Sequence, residues 1–381
     1  MLGRIAALSC SLFVFAACTP RAGSVSPIVV FDAGSSGTRA HVFVPGEGPG
    51  GLVDRTPDCD HGRPLAEVGG EAILALWSCV ADNVPAEQLA STPVRVFATA
   101  GMRSLAERDP KAAAAKHQQA IDVLRIKGMH DVESRTIDGI DEARFAWLAA
   151  NLGEHTLGGD ATLGILELGG ASTQIAFVPE DPANASETLK VAGREYSLFA
   201  VSYLHCGANE ARRSMAGEAC FFVGCEADEV CRANALEGTP ASKGAGDFAG
   251  CGEGLHAAMS DPAASCPAAK HSRPPMKGPF VLVSVFAFVI EAFAAAEASG
   301  KVDLDALWRG AAGVCATPWS ELAGPLAAQE PKYRANGCFN AAWTRELLGV
   351  YGLGQSEELR VLPRSPEWAL GAAYLLREGR R

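Results

Sequence analysis

The chain has 381 residues, of which 48% are hydrophobic and 20% are charged, and its formal net charge is −11. This length and composition exclude wholesale disorder and predict a globular protein with more than one unit. The negative charge gives no electrostatic footprint for nucleic acid or anionic lipid, so a phosphorylated ligand has to be held locally, by a loop and a cation.

The N-terminus predicts export. Arg4 precedes an apolar stretch within residues 1–17, and small residues lead up to Cys18, as in the cleavage site of a bacterial lipoprotein. We expect an export signal at 1–17, lipidation at Cys18 and a lipid-anchored linker at 18–27, with ordinary signal cleavage as the alternative. The mature chain is then extracytoplasmic, as a periplasmic or outer-surface lipoprotein or as a secreted protein. Its membrane contact is expected through the lipid anchor only.

Cysteine usage agrees with export. The sequence has 12 cysteines, and ten remain once the signal and Cys18 are set aside. An even number in an exported chain predicts disulfides. Local spacing favours Cys59–Cys79 and Cys315–Cys338, whereas the pairing of the six cysteines from Cys206 to Cys266 stays open. A zinc site in that central cluster is the less favoured alternative.

One local pattern occurs twice. Residues 28–31 read as a strand, Asp32 follows, a glycine and hydroxyl turn comes next, and residues 40–44 read as a second strand. The same order returns with a strand at 164–166, then Glu167, a turn and a strand at 174–178. This duplication predicts two related α/β lobes, each of which presents a hairpin turn to a shared cleft.

The rest of the chain alternates between strand and helix patterns. The predicted elements are a strand at 94–97, a helix at 110–125, a strand running into a helix at 280–290, a helix at 340–348 and a last helix at 367–377. Residues 206–279 are rich in cysteine, glycine, alanine and proline and predict an irregular, disulfide-stapled insertion. We expect lobe I at 28–157, lobe II at 158–350 and a C-terminal segment at 351–381 that returns to lobe I.

The two turns carry groups suited to phosphate. Glycines let backbone N–H groups approach a phosphate closely, and hydroxyls add donors. The candidate phosphate-binding residues are Gly34, Ser35, Ser36, Gly37 and Thr38 in the first turn, and Gly169, Gly170 and Ala171 in the second. Asp32 and Glu167 are candidate ligands of Mg²⁺ or Ca²⁺ between the turns. Neither turn has the spacing of a Walker motif or of a dinucleotide fingerprint.

Four ordered motifs resemble a known family. They are FDAGSSGTR at 31–39, ATAGMR at 98–103, DGIDE at 138–142 and LGGASTQ at 168–174. In this order they resemble the first signature regions of the apyrase, or ecto-nucleoside triphosphate diphosphohydrolase, family, and they are closest to its soluble nucleoside-diphosphatase members. The resemblance implies an actin-like ATPase fold, with two ribonuclease-H-like lobes and the active site in the cleft between them.

The resemblance also implies residue roles. Glu142 is the general base that activates water, Gln174 and Ser172 position that water, and Thr99 joins the phosphate and water network. Asp32 and Glu167 hold the hydrated metal. Arg39 and Arg103 are expected to bind phosphate, with pairing to structural carboxylates weighed equally. Phe288 is a candidate for nucleobase stacking, with core packing as the favoured role.

The implied activity is metal-dependent hydrolysis of the terminal phosphate of nucleoside diphosphates and/or triphosphates, with a lean towards diphosphates. An exopolyphosphatase-like hydrolase is one alternative. A non-catalytic nucleotide-binding surface lipoprotein is another, because Glu167 stands where the family has Asp and Ala143 stands where it has Gly. The oligomeric state is left open by the sequence.

Overall fold

The computed structural model describes residues 26–159, 161–354, 358–364 and 366–379. The export signal and Cys18 lie outside these residues. Within them, the strands form two six-stranded sheets.

The first sheet begins with the predicted hairpin, which is confirmed. Its strands are β1 (Ile28–Ala33), β2 (Thr38–Pro45), β3 (Leu52–Asp54), β4 (Asp60–His61), β5 (Val94–Ala98) and β6 (Val132–Thr136). β1 runs antiparallel to β2, with Asp32 opposite Arg39. β5 lies parallel to β1 on its other side, and β6 lies parallel to β5. The β-branched and aromatic residues of β1 are buried on both faces, as expected for a central strand.

Helices follow the strands of this sheet. They are α1 (Leu65–Val68), α2 (Gly70–Ala75), α3 (Trp77–Ala81), α4 (Ala100–Arg108), α5 (Pro110–Ile126) and α6 (Gly139–Gly153). α5 matches the helix predicted at 110–125. It starts where expected because Asp109 caps it, accepting a 2.9 Å hydrogen bond from Ala112 N, and because proline suits the first helical position.

The second sheet repeats the plan of the first. Its strands are β7 (Gly164–Leu168), β8 (Ser172–Phe177), β9 (Glu187–Val191), β10 (Arg194–Leu204), β11 (Phe280–Ser284) and β12 (Leu359–Arg360). β7 and β8 form the second predicted hairpin, with Glu167 opposite Gln174. β11 lies parallel to β7, as β5 does to β1. Asp32 and Glu167 therefore occupy equivalent places in the two hairpins.

The segment at 206–279 is more regular than predicted. The helices of the second half are α7 (Ala208–Met215), α8 (Glu229–Cys231), α9 (Phe248–Ser260), α10 (Val285–Ala292), α11 (Leu304–Cys315), α12 (Gly324–Ala328), α13 (Pro331–Ala335), α14 (Gly337–Val350) and α15 (Trp368–Glu378). The prediction of an irregular insertion was wrong for α7 and α9, whose short apolar faces pack on the core of this half. The strand-to-helix reading of 280–290 is confirmed by β11 and α10.

The cysteines pair as disulfides. Cys59–Cys79 and Cys315–Cys338 are bonded as predicted. The structure resolves the pairing that spacing left open: Cys206–Cys266, Cys220–Cys251 and Cys225–Cys231. The zinc alternative is overturned, because all six central cysteines are used in these bonds.

Two helices separate the sheets. α6 packs on β7, β8 and β10 of the second sheet, and α15 packs on β1, β2 and β3 of the first. The two helices also pack against each other, with Gly371 so close to the carbonyl of Phe145 that no Cβ could fit between them. In the part of the chain that the structure describes, no helix has the length and apolar character needed to cross a membrane. The division at 157/158 stays a prediction.

Candidate active site

The two glycine-rich turns meet at the carboxyl ends of β1 and β7. A Cβ on Gly170 would lie 2.7 Å from Ser35 Oγ and 2.5 Å from Ser36 Oγ, so a larger residue here would have to displace these hydroxyls. Together with their neighbours the turns line a cavity of about 480 Å³. That volume is in the range of small-molecule and cofactor sites.

Most of the predicted site residues line this cavity. They are Asp32, Gly34, Ser35, Ser36, Arg39, Thr99, Glu142, Glu167, Gly169, Gly170, Ala171, Ser172 and Phe288. The remaining four are not among the residues that line it: Gly37, Thr38, Arg103 and Gln174.

Gly37 and Thr38 face away from the cavity. Thr38 is fully buried, and its hydroxyl donates to the backbone carbonyl of Arg63 at 3.2 Å. A Cβ on Gly37 would lie 3.1 Å from the carbonyl oxygen of His61, on the short strand β4 that pairs with β2. The Thr38 hydroxyl and the position of Gly37 thus hold β4 against the hairpin, and contact of these two residues with phosphate stays a prediction.

Three carboxylates are buried around the cavity. Asp32 is 4% exposed, Glu142 is 6% exposed and Glu167 is 7% exposed. Arg39 Nη1 donates to Asp32 Oδ2 at 3.3 Å, and Ser284 Oγ donates to Glu167 Oε1 at 3.3 Å. Asp32 Oδ1 and Glu167 Oε2 are buried without a hydrogen-bond partner among the described residues. Such orphaned oxygens need a ligand to offset their desolvation.

The crowding of these groups changes their acidity. Burial raises the pKa of Asp32 to about 6, although the Arg39 guanidinium opposes the shift. Burial also raises the pKa of Glu167 well above its ordinary value, and the charges of Glu142 and Asp32 add to this effect. A cation bound between Asp32 and Glu167 would favour the ionised form of both.

The donor set fits a hard cation. Carboxylate oxygens are the ligands of Mg²⁺ and Ca²⁺, and Mg²⁺ in particular is often held by one or two carboxylates together with water and substrate phosphate. Within the described ranges, no group of three or more His, Cys, Asp or Glu side chains is arranged to hold a metal ion. The two orphaned oxygens thus fit a cation whose remaining ligands come from water and phosphate.

Arg103 holds Glu142 in place. Its Nη2 donates to Glu142 Oε2 at 3.0 Å and lies 3.3 Å from Ser172 Oγ, while its Nη1 donates to the carbonyl of Ile137 at 3.1 Å. Of the two roles weighed from the sequence, the structure therefore supports pairing with a carboxylate. Burial raises the pKa of Glu142, and Arg103 partly offsets that shift.

Arg39 pairs with carboxylates, and its expected contact with phosphate stays a prediction. It lines the cavity, yet it is paired with Asp32 and also lies 3.4 Å from Asp60. Burial lowers the pKa of Arg39, but the charges of Asp32, Glu367 and Asp60 outweigh burial and raise that pKa above its ordinary value. Its guanidinium therefore stays charged at the rim of the cavity.

Gln174 lies behind Ser172. Gln174 Nε2 donates to Ser172 Oγ at 2.5 Å and to Ser202 Oγ at 3.2 Å, while Gln174 Oε1 is buried without a partner among the described residues. Sequence reasoning missed Ser202 as a member of this group. The register of β10, which sets Ser202 opposite Gln174, is the signal that would have found it, and it is visible only in the folded sheet.

The outer part of the cavity carries an aromatic pair. The rings of Phe288 and Tyr333 lie 4.8 Å apart and both line the cavity. Phe288 is 38% exposed, which excludes the core-packing alternative for it. Sequence reasoning missed Tyr333, which sits in the short helix α13 without a motif around it. It also missed Glu367, which lines the cavity just before α15.

Comparisons with known proteins agree with this geometry. The model of the GDA1/CD39 (nucleoside phosphatase) family matches residues 66–379. "Probable apyrase 5" of Arabidopsis thaliana is 27% identical, over 98% of this chain and 87% of its own length. "Ectonucleoside triphosphate diphosphohydrolase 1" of Mus musculus is 26% identical, over 91% and 80% respectively. Human "Nucleoside diphosphate phosphatase ENTPD5" is 32% identical over 50% of this chain and 48% of its own.

Solved structures show the same fold. A nucleoside triphosphate hydrolase from Neospora caninum superposes with a TM-score of 0.63 at 16% identity, covering 93% of both chains. The Ppx/GppA family member from Aquifex aeolicus gives a TM-score of 0.55 at 13% identity, over 93% of this chain and 98% of its own. These likenesses confirm the predicted fold, and the family match confirms the resemblance first seen in the motifs. The chain therefore belongs to the GDA1/CD39 (nucleoside phosphatase) family, a family of enzymes that hydrolyse nucleoside phosphates.

Proposed function

We propose that this protein hydrolyses the terminal phosphate of nucleoside diphosphates and/or triphosphates by attack of a water molecule that Glu142 deprotonates. The observation that carries the proposal is that Glu142, Ser172 and both glycine-rich turns line a single cavity. Phosphoryl transfer needs a proton acceptor, alignment and charge neutralisation, which Glu142, Ser172 and the N–H groups of the turns supply respectively.

The phosphates lie between the turns. Gly34, Ser35 and Ser36 offer backbone N–H groups and hydroxyls from one side, and residues 169–171 offer backbone N–H groups from the other. Because the turns come within contact distance of each other at Gly170, they hold the phosphates in one narrow groove. Thr99, buried at the carboxyl end of β5 and lining the cavity, adds a hydroxyl.

The attacking water lies among Glu142, Ser172 and Gln174. Ser172 Oγ receives hydrogen bonds from Gln174 and Arg103, which use its two lone pairs and leave its O–H free to donate. Gln174 Oε1 and a carboxylate oxygen of Glu142 are acceptors for the two hydrogens of the water. This arrangement turns the oxygen lone pair of the water towards the phosphorus and gives its proton to Glu142.

Asp32 and Glu167 would hold Mg²⁺ or Ca²⁺ through their orphaned oxygens, directly or through water. When bound, the cation neutralises the charge that develops on the phosphate oxygens. The Asp usual in the family is one methylene shorter than Glu167. In this chain the carboxylate at position 167 therefore reaches further from the β7 backbone. Phe288 and Tyr333 would stack the nucleobase at the outer end of the cavity.

The proposed location is extracytoplasmic. Among the described residues five disulfides are formed, which suits an oxidising compartment. The export signal at 1–17 and lipidation at Cys18 are proposed from the sequence.

Replacing the base tests the function. Glu142→Gln keeps the size of the side chain but removes the proton acceptor, so phosphate release should slow by about 10²–10⁴-fold while nucleotide binding with metal survives. Glu67→Gln is the matched control, because Glu67 lines the same cavity and is exposed. Phosphate release from ADP, GDP, UDP, ATP and polyphosphate and binding by calorimetry are measured for all three proteins. A fully active Glu142→Gln would remove Glu142 as the base, and a wild type that cleaves polyphosphate but no nucleotide would exclude the proposed substrate class.

A further inference from the structure

Helix α7 starts at the second phosphate turn. The backbone N–H of Ala208 donates to the carbonyl of Gly169 at 2.9 Å, and that of Asn209 donates to the carbonyl of Gly170 at 2.8 Å. These bonds fix the helix to the turn. The short segment between β10 and α7 contains Cys206, which is bonded to Cys266. Side chains on the cavity side of α7 are therefore held at set distances from the bound phosphates.

Three residues of α7 line the cavity, Ala208, Asn209 and Arg213, and the last two carry polar side chains. These two are four residues apart and so lie on one side of the helix, about 6 Å apart along its axis. Asn209 Nδ2 donates to Ser36 Oγ at 3.2 Å, which places Asn209 beside both turns. Arg213 is one helical turn further from the turns, towards the outer part of the cavity.

Arg213 is an exposed guanidinium without an ionic partner. It forms no ion pair with any described residue. The other cations that line the cavity differ in this respect. Arg39 is paired with Asp32 and Asp60, and Lys332 Nζ lies 3.5 Å from Glu330. In a chain with a net charge of −11, an unpaired guanidinium beside a phosphate groove points to an anionic ligand.

We propose that Arg213 binds the phosphate that lies furthest from the scissile bond, and so favours substrates with three phosphates over those with two. The proposal rests on the function proposed above. The turns hold the phosphates next to the scissile bond. The further 6 Å or so along α7 spans more than one phosphoanhydride link. A diphosphate presents its ribose at that distance, whereas a triphosphate still presents charged oxygens that a guanidinium fork can grip in pairs.

The variants are chosen to separate charge, geometry and location. Arg213→Gln removes the charge, and Arg213→Lys keeps the charge but loses the fork. Arg309→Gln is the matched control, since Arg309 is an exposed arginine of α11 outside the cavity lining. All are surface changes, so each variant is expected to fold.

Two measurements are made on each protein. The first is kcat/KM for ATP and ADP with Mg²⁺. The second is binding by calorimetry of the imido analogues of ATP, ADP and tripolyphosphate, which do not turn over. Arg213→Gln should lower the binding affinity for the ATP and tripolyphosphate analogues by about 10- to 100-fold. It should change the affinity for the ADP analogue by less than about threefold. Arg213→Lys should lie between this variant and the wild type, and Arg309→Gln should match the wild type.

The outcomes separate this proposal from the one on which it rests. Equal losses of binding affinity for the ATP and ADP analogues would overturn the proposal. A loss of affinity for the nucleotide analogues without a loss for the tripolyphosphate analogue would also overturn it, because Arg213 would then contact the nucleoside. An unchanged Arg213→Gln would also overturn it. A wild type that hydrolyses no nucleotide would contradict the proposed function, while the three binding constants would still decide the role of Arg213.

Discussion

The sequence weighed two roles for Arg103 equally, and its contact with Glu142 in the structure favours one of them. A phosphate ligand at this position would affect substrate binding, whereas the observed side chain lies behind Glu142 and holds its carboxylate at 3.0 Å. We expect Arg103→Gln to lower kcat with little change in KM, because the lost contact orients the base and not the substrate.

The magnitude follows from the contact. A hydrogen bond between charged groups contributes about 1.5–3 kcal/mol, and each 1.4 kcal/mol or so is a factor of ten in rate, so kcat should fall by about 10- to 150-fold. Because Arg103 opposes the burial-driven rise in the pKa of Glu142, its loss should also raise that pKa further. The acid limb of the pH–rate profile should therefore move to higher pH, and part of the lost rate should return in alkaline buffer.

The assay is steady-state hydrolysis of ADP and ATP across pH by wild type, Arg103→Gln, Arg103→Lys, Glu142→Gln and the double variant. If Arg103 acts through Glu142, the double variant should be no slower than Glu142→Gln alone. Additive losses in the double variant, or a rise in KM at constant kcat, would refute this reasoning and return Arg103 to the phosphate.

Two further predictions concern the metal and the fold. Glu167→Ala should abolish most activity and weaken the binding of Mn²⁺, measured by electron paramagnetic resonance. Glu167→Asp should retain activity and shift the preference between Mg²⁺ and Ca²⁺. Unaltered Mn²⁺ binding in Glu167→Ala would exclude Glu167 from the metal site. Buried His41 lies 2.7 Å from Asp54 Oδ2; burial lowers the pKa of His41, but the hydrogen bond and charge of Asp54 outweigh it and raise that pKa above its ordinary value. The pair therefore stabilises the fold fully below about pH 6.5 and loses this contribution as pH rises through the folded pKa. His41→Asn should cost more unfolding free energy at about pH 6 than at about pH 9 in denaturant titrations, and the opposite order would contradict the assignment.

Local chemistry made the two hairpins predictable. Runs of β-branched and other apolar residues on both sides of a glycine turn specify a hairpin within a few residues. β1, β2, β7 and β8 and the positions of Asp32 and Glu167 therefore follow from the sequence. The residues of the turns that face the cavity could also be predicted from the sequence, because they lie within those motifs.

Contacts set by tertiary structure were not predictable in the same way. Thr38 lies inside the first motif, but its hydroxyl donates a hydrogen bond to the backbone carbonyl of Arg63, a residue 25 positions away. The long side chain of Arg103 reaches Glu142 across 39 positions. Ser202 joins Gln174 only through strand register, and Tyr333 reaches Phe288 only through the placement of α13. Sequence reasoning therefore identified the residue types of the site more reliably than their partners.

The paired helices between the sheets have a consequence for how the molecule can be divided. α6 is joined in sequence to the first sheet but covers the second, and α15 is joined to the second but covers the first. A cut in the chain after α6 would leave the second sheet without the helix that shields its inner face, while α15 would remain with the wrong half. Each half supplies the helix that covers the sheet of the other, so we expect neither half to fold alone even though the two sheets repeat the same plan. α6 also carries Glu142 and packs on β8, which carries Ser172 and Gln174, so the proposed base and the residues proposed to orient the water stand on two elements in direct contact.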